Sequence, residues 1–237
     1  MNEFYLSTEF AVVDSKEPLN QQIYKFLKKA IIECQLMPDA PVSENAVSSK
    51  FKFKISRQPV REALIKLAEN DFVIIEPKKT TRVSRISISE ILQGSEIRKA
   101  LECHIVKLAC QNMTDEVLQK LENNVTSQRF VAEQYKLHDH FALDDEFHQL
   151  IVHTAGLDRA WNIIEGVKGV MDRVRFLSLE YELTPMIITS NAHHKIFEAL
   201  KERDQEACAK AMAEHISDTK LSLEQVIKKC KPEWFQP

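Results

Sequence analysis

Residues 55–70 read ISRQPVREALIKLAEN. Val60, Ala63, Leu64 and Leu67 recur at three- and four-residue spacing, the period of a helix with one buried stripe. Ser56 stands where an N-cap belongs, and Pro59 falls in the first turn, where a missing N–H costs little. Arg57, Gln58 and Arg61 crowd the N-terminal end. Upstream, Leu19, Ile23, Phe26, Leu27, Ala30 and Ile31 keep helical spacing until Met37-Pro38-Asp39-Ala40-Pro41 stops them, because proline cannot continue a helix. Ser43 then opens a short helix, SENAVSSKF, and the lysine-rich KFKFKI over 50–55 reads as a turn. Downstream, FVIIE and TRVSRI are β-rich runs flanking Pro77-Lys78-Lys79-Thr80, a hairpin with a basic tip.

Three short helices and a basic hairpin make the pattern of a winged helix-turn-helix. Such a unit enters the major groove of double-stranded DNA with the N-terminal end of its last helix, while the wing reaches phosphate or the adjacent minor groove. Arginine offers paired donors to guanine, and glutamine pairs with adenine. The candidate DNA contacts are therefore Ser56, Arg57, Gln58 and Arg61 on the helix, and Lys78, Lys79, Thr80 and Arg82 on the wing. The bland alternative is a solvated helix face, since capped amphipathic helices with exposed arginines are common.

Charge and composition set the frame. Residues 1–88 hold 14 Lys and Arg against 11 Asp and Glu, and the remainder 18 against 24, so the basic excess lies with the hairpin half. All eight histidines lie beyond residue 100. No run approaches the roughly 18–20 apolar residues of a membrane span, and MNEFYLSTEFAVVDSKEP is acidic without a continuous apolar core, so neither a signal peptide nor a membrane anchor is expected. With 4 glycines in 237 residues, sandwich and propeller folds are disfavoured. Five scattered cysteines without a CxxC read as reduced thiols of a cytoplasmic protein.

From Ser87 onward every long segment is helical in pattern: Ile88 to Gln111, Thr114 to Tyr135, His138 to Thr154, Leu157 to Tyr181, Thr189 to Glu202 and Asp204 to Cys230. Six helices with short connections imply an all-α antiparallel bundle. Asp144 and His148 are four apart, so they share one helix face. His193 opens the next-to-last helix and His215 lies inside the last. Histidines from different helices plus a carboxylate are what Zn, Ni or Mn as a divalent metal requires. Spacing alone leaves His140, His153 and His194 equally eligible, and one Asp–His pair among eight histidines also arises by chance. There is no glycine-rich phosphate loop, G-x-S-x-G or H-E-x-x-H, and no general base apart from the candidate ligands, which disfavours a metal-dependent hydrolase.

The stretch SRQPVREAL, preceded by LMPDAPVSENAV and followed by LAENDFVIIEPKKTTRV, resembles the DNA-binding domain of the GntR superfamily of bacterial transcription regulators. The helical half resembles the ligand-binding domain of the FadR subgroup, over residues 18–222 taken together. The resemblance implies that Asp144, His148, His193 and His215 are the metal ligands, choosing His193 over His194. It also implies an acid-anchoring arginine near the metal, for which Arg98 matches and Arg175 is a second candidate. Where the family usually has glycine, this chain has Cys34, Asp39, Asp71 and Thr80 or Thr81.

The reading that follows is of a mainly α chain. A lead-in over 1–17 precedes a winged helix-turn-helix over 18–86, an all-α effector domain over 87–230 and a loose tail over 231–237. It is expected to be a cytoplasmic transcriptional regulator, not an enzyme, a repressor relieved by ligand. The expected partners are an operator, a small organic acid effector and a second copy of the chain in a homodimer, with no membrane. A metal-free pocket in which the histidines meet the effector directly is the alternative.

Overall fold

The computed structural model describes residues 16–49 and 55–237. The turn expected over 50–55 and the lead-in therefore lie almost wholly outside the described residues. The chain divides into two compact units, Met1–Ile88 with Lys229–Pro237, and Ser89–Lys228.

The first unit contains α1 (Leu19–Ile32), α2 (Glu44–Ser49) and α3 (Arg57–Glu69), followed by β1 (Val73–Ile74), β2 (Arg82–Val83), β3 (Ile86–Ser87) and β4 (Phe235–Gln236). Helix α1 buries Ile23, Leu27, Ala30 and Ile31 against the Val60, Leu64 and Leu67 stripe of α3, with Phe72 and Val83 closing the core. Ser43 caps α2 by accepting from the Ala46 N–H at 3.0 Å. Ser56 occupies the N-cap position of α3, yet its hydroxyl makes no capping bond. Pro59 stands at the third helical position, where the usual donor would be, and proline has no N–H. Strands β1 and β2 form the antiparallel wing, with Val73 opposite Val83 and Ile74 opposite Arg82.

At three positions where the resemblance leads one to expect glycine, the backbone is left-handed. Cys34, Asp39 and Asp71 have φ of 50°, 65° and 60°. At the wing tip the left-handed residue is Lys78, φ 61°, rather than Thr80 or Thr81.

Residues 231–237 differ from the loose tail expected. Pro232–Trp234 form a 3-10 turn, and β4 pairs in parallel with β3, Ile86 beside Phe235 and Ser87 beside Gln236. Trp234 and Phe235 are half-buried.

The second unit contains α4 (Ile88–Asn112, from Ser89 onward), α5 (Asp115–Glu133), α6 (Leu137–Thr154), α7 (Asp158–Glu180), α8 (Met186–Lys201) and α9 (Gln205–Lys229, to Lys228). Thr114 caps α5, its hydroxyl accepting from the Val117 N–H at 3.3 Å. Tyr135, Gly156, Glu182 and Arg203 follow α5, α6, α7 and α8 in left-handed conformation, the usual way to end a helix sharply. Helix α8 begins at Met186, earlier than Thr189, because Pro185 takes the N-cap position directly before it. Phe147, Ile151, Ile196, Leu200, Met212 and Ile216 sit in the core of this unit. Among the described residues no helix is long and apolar enough to cross a membrane.

Candidate metal centre and nucleic-acid interface

Asp144, His148, His193 and His215 each offer a donor atom, all within 4.8 Å of one another. Asp144 and His148 come from one face of α6, His193 from α8 and His215 from α9. The His193 Nε2 lies 3.1 Å from the His215 Nε2, which lies 3.3 Å from the His148 Nε2. Two nitrogens at the Zn–N distance of about 2.0–2.1 Å, spread at a near-tetrahedral angle, stand about 3.3 Å apart. The three imidazoles thus have the spacing of donors that share one ion.

Their outer nitrogens decide which way the lone pairs point. The His193 Nδ1 is 2.7 Å from the Gln128 Oε1, an oxygen that only accepts, so Nδ1 carries the proton and Nε2 the lone pair. Gln128 is itself held, donating to the Asn124 Oδ1 at 2.7 Å. The His148 Nδ1 is 2.6 Å from the Glu102 Oε2, an ion-pair distance although the N–H is poorly aligned on the oxygen. That carboxylate also favours a proton on Nδ1. A proton on the His215 Nε2 serves only one of its two close nitrogen neighbours well, so the cluster leaves a lone pair facing a lone pair.

Charge around the cluster is arranged to match. Burial raises the Asp144 carboxyl, but Arg175, His193, His148 and Lys168 together outweigh it and hold the group well below the usual carboxylate range. The Arg175 Nη2 donates to the Asp144 Oδ1 at 2.6 Å, while Oδ2 is buried and has no hydrogen-bond partner. Burial pushes His193 and His215 well below the ordinary histidine range and so keeps them neutral, the form that ligates a metal. Buried Glu102 is likewise held low: burial opposes ionisation, and Arg98 and His148 overcome it.

Arg98 and Arg175, the two arginines expected near an acid, line one cavity with His215. Arg98 is only 3% exposed, and its Nε donates to the Glu102 Oε1 at 2.6 Å. Ser178, Thr184, Thr189, Thr219 and Ser222 also line the cavity. The cavity has a volume of about 40 Å³, room for a few water molecules at roughly 10–15 Å³ each on this measure.

Of the other histidines eligible by spacing, His140 is fully buried one turn before Asp144, and neither of its ring nitrogens has a hydrogen-bond partner. His153 is exposed and pairs with Asp158 at 2.8 Å, and His194 is exposed beside Phe197 and is not among the clustered donors. Glu102, Gln128 and Asn124 escaped the sequence reading. The available signal was polarity on a buried stripe: Asn124 and Gln128 interrupt Leu121, Val125, Val131 and Ala132, and Glu102 lies four after Arg98.

In the first unit, Ser56, Arg57, Gln58 and Arg61 are all exposed at the start of α3, as are Lys78, Lys79, Thr80 and Arg82 on the wing. Several already have partners. Gln58 donates to Glu62 at 2.9 Å, Lys79 pairs with Glu76 at 3.0 Å, and the Arg82 guanidinium donates to the Asp39 carbonyl. Arg57 and Arg61 have no ion-pair partner among the described residues.

A helix-turn-helix with a basic wing, joined to a helical unit with a buried polar cluster, defines the class: a DNA-binding transcriptional regulator. Residues 19–83 match the family of bacterial regulatory proteins called gntR, and residues 93–218 match the FCD domain. The HTH-type transcriptional repressor RspR of Escherichia coli K12 is 40% identical over 92% of this chain and 94% of its own. An HTH-type transcriptional regulator of Streptomyces ambofaciens is 30% identical over 83% of this chain and 81% of its own. The solved structure of E. coli McbR/YncC superposes with a TM-score of 0.75 over 88% of this chain and 98% of that one, at 23% identity, a likeness of fold. The chain belongs to the gntR family of bacterial regulatory proteins with an FCD domain, and it is a regulator, not an enzyme.

Proposed function

We propose that this regulator is a repressor whose helical unit holds a divalent metal on Asp144, His148, His193 and His215 and senses a small organic acid. The observation that carries the reading is the convergence of three Nε2 atoms at 3.1 and 3.3 Å, with Gln128 and Glu102 at the Nδ1 atoms of two of them. Unpaired Asp144 Oδ2 adds a hard oxygen donor beside three imidazoles, a set suited to Zn, Ni or Mn. A cation bound there supplies a Lewis-acid anchor for an anionic group. Arg175 keeps Asp144 ionised, Glu102 and Gln128 orient the imidazoles, and Arg98 and Arg175 offer guanidinium donors to a carboxylate in the adjoining cavity. Binding an acid there shifts the cavity's walls, which belong to α4, α7, α8 and α9. Such movement biases DNA affinity by a coupling of about 1–3 kcal/mol. The repressor sign is supported by the name of the E. coli relative. DNA contact falls to Ser56, Arg57, Gln58 and Arg61 and to the wing residues Lys78, Lys79, Thr80 and Arg82, in a homodimer on a two-fold operator.

Elemental analysis of the purified protein tests the site. One equivalent of metal per chain is expected in the wild type and far less in His215→Ala, with equal helical content. Wild type that takes up no divalent metal on dialysis against zinc would leave the metal-free pocket as the reading.

A further inference from the structure

The segment beyond α9 belongs with the DNA-binding unit. Residues 229–237 group with Met1–Ile88, although α9 up to Lys228 belongs to the helical unit. Their pairing partner is β3, whose two residues are buried and whose end runs straight into α4 at Ile88. The chain thus passes between the two units twice, once after Ile88 and once after Lys228. Gln236 also borders a surface cavity with Ile74, Arg82 and Arg85 of the wing.

A two-residue strand pair is marginal in water by itself. Here it is backed by the half-buried rings of Trp234 and Phe235 and by a 3-10 turn whose Trp234 N–H donates to the Lys231 carbonyl at 3.0 Å. A unit attached by one connection is free to swivel about it, the default for domains in one chain. A second connection, entering through the strand that forms the first, adds a constraint that a single connection lacks.

We propose that residues 232–237 are a strap that docks on the hinge strand β3 and ties the end of α9 to the DNA-binding unit, so that DNA affinity depends on its docking. The two helices it links are α9, which carries His215, and α4, which carries Arg98 and Glu102. Helix α4 starts directly after β3, and α9 reaches β4 through residues 230–234. The proposal goes beyond the metal reading and does not require it.

Two variants test it, a chain ended at Lys231 and the full chain with Phe235→Pro and Gln236→Pro, which removes both strand N–H groups. The probe is a DNA duplex selected from a random pool by the full-length protein. Trp161→Phe leaves Trp234 as the single tryptophan of two, so its emission reports docking of the segment. Expected are a loss of affinity for the duplex of about tenfold in both variants, in the range of domain coupling. The Ile86 and Ser87 amides should exchange faster in both, and Trp234 emission should shift to the red in the proline variant, with helical circular dichroism unchanged. Unchanged affinity in a variant whose Trp234 or Ile86 reports undocking overturns the proposal. Unchanged exchange at Ile86 and Ser87 overturns it too. Loss of the helical signal in both variants also overturns it, since the segment would then be part of the folding core and not a strap.

Discussion

Tyr135 shows what a single residue contributes against its own preference. It is 72% exposed and holds φ 54° after α5. Its Cβ therefore carries the left-handed cost of about 1–2 kcal/mol without burying its ring. Tyr135→Gly is expected to raise unfolding stability by about 1 kcal/mol, the relief being partly offset by the entropy glycine adds to the unfolded chain. A urea titration should show a higher midpoint with the same slope. A second residue effect is on pH. Burial holds His140 at about 4, with Asp144 raising it and Arg175 lowering it, and it also depresses His193 and His215. All three stay neutral in the native state while the unfolded chain takes up protons below about 6.5. The unfolded state then binds more protons, so stability rises with pH across that range and falls as pH drops from 6.5 towards 4. Each such histidine costs about 1.4 kcal/mol per pH unit there. Glu102 and Asp144, held low, add a loss of the same sign only below the ordinary carboxylate range. In chelator, urea midpoints should be flat from pH 8 to 6.5 and fall below it, less steeply in His140→Leu. A flat profile to pH 5 would refute the neutral burial of these rings.

At the scale of elements, α3 and the wing are expected to divide the labour of binding DNA. Arg57→Ala and Arg61→Ala should each cost about 1–3 kcal/mol of specific affinity. Lys79→Ala should weaken binding to all sequences alike and flatten its salt dependence. A folded Arg57/Arg61 double alanine variant that binds a selected duplex normally would rule out this assignment. The elements themselves were legible where local chemistry decides them. The stripe of α3, the stop at Pro38–Pro41, the wing and the Asp144–His148 face all depend on residues within a few positions of one another. What was not legible depends on partners far along the chain. Glu102 reaches His148 from α4, and Gln128 reaches His193 from α5, and neither contact leaves a local trace beyond a polar residue on an apolar stripe. The pairing of β4 with β3 joins residues about 150 apart, and nothing in KPEWFQP alone announces its partner. Pro59 misled in a smaller way, since it favours the start of α3 yet withholds the N–H that Ser56 would have capped.

For the whole molecule, the proposed homodimer suits a two-fold-symmetric operator. Light scattering at micromolar concentration should give twice the 27.4 kDa chain mass. A monomer there would count against a two-fold operator. The central claim is that four residues from three helices share one metal, and thermal unfolding with and without chelator tests it most directly. A metal bound only by the native state stabilises it by RT ln(1 + [L]/Kd), about 2.7 kcal/mol at a hundredfold excess over Kd. Chelation should therefore lower the melting temperature of the wild type and of His194→Ala by several degrees, and leave His193→Ala nearly unmoved. Equal melting of wild type with zinc and with chelator, or equal sensitivity of His193→Ala and His194→Ala, would contradict it.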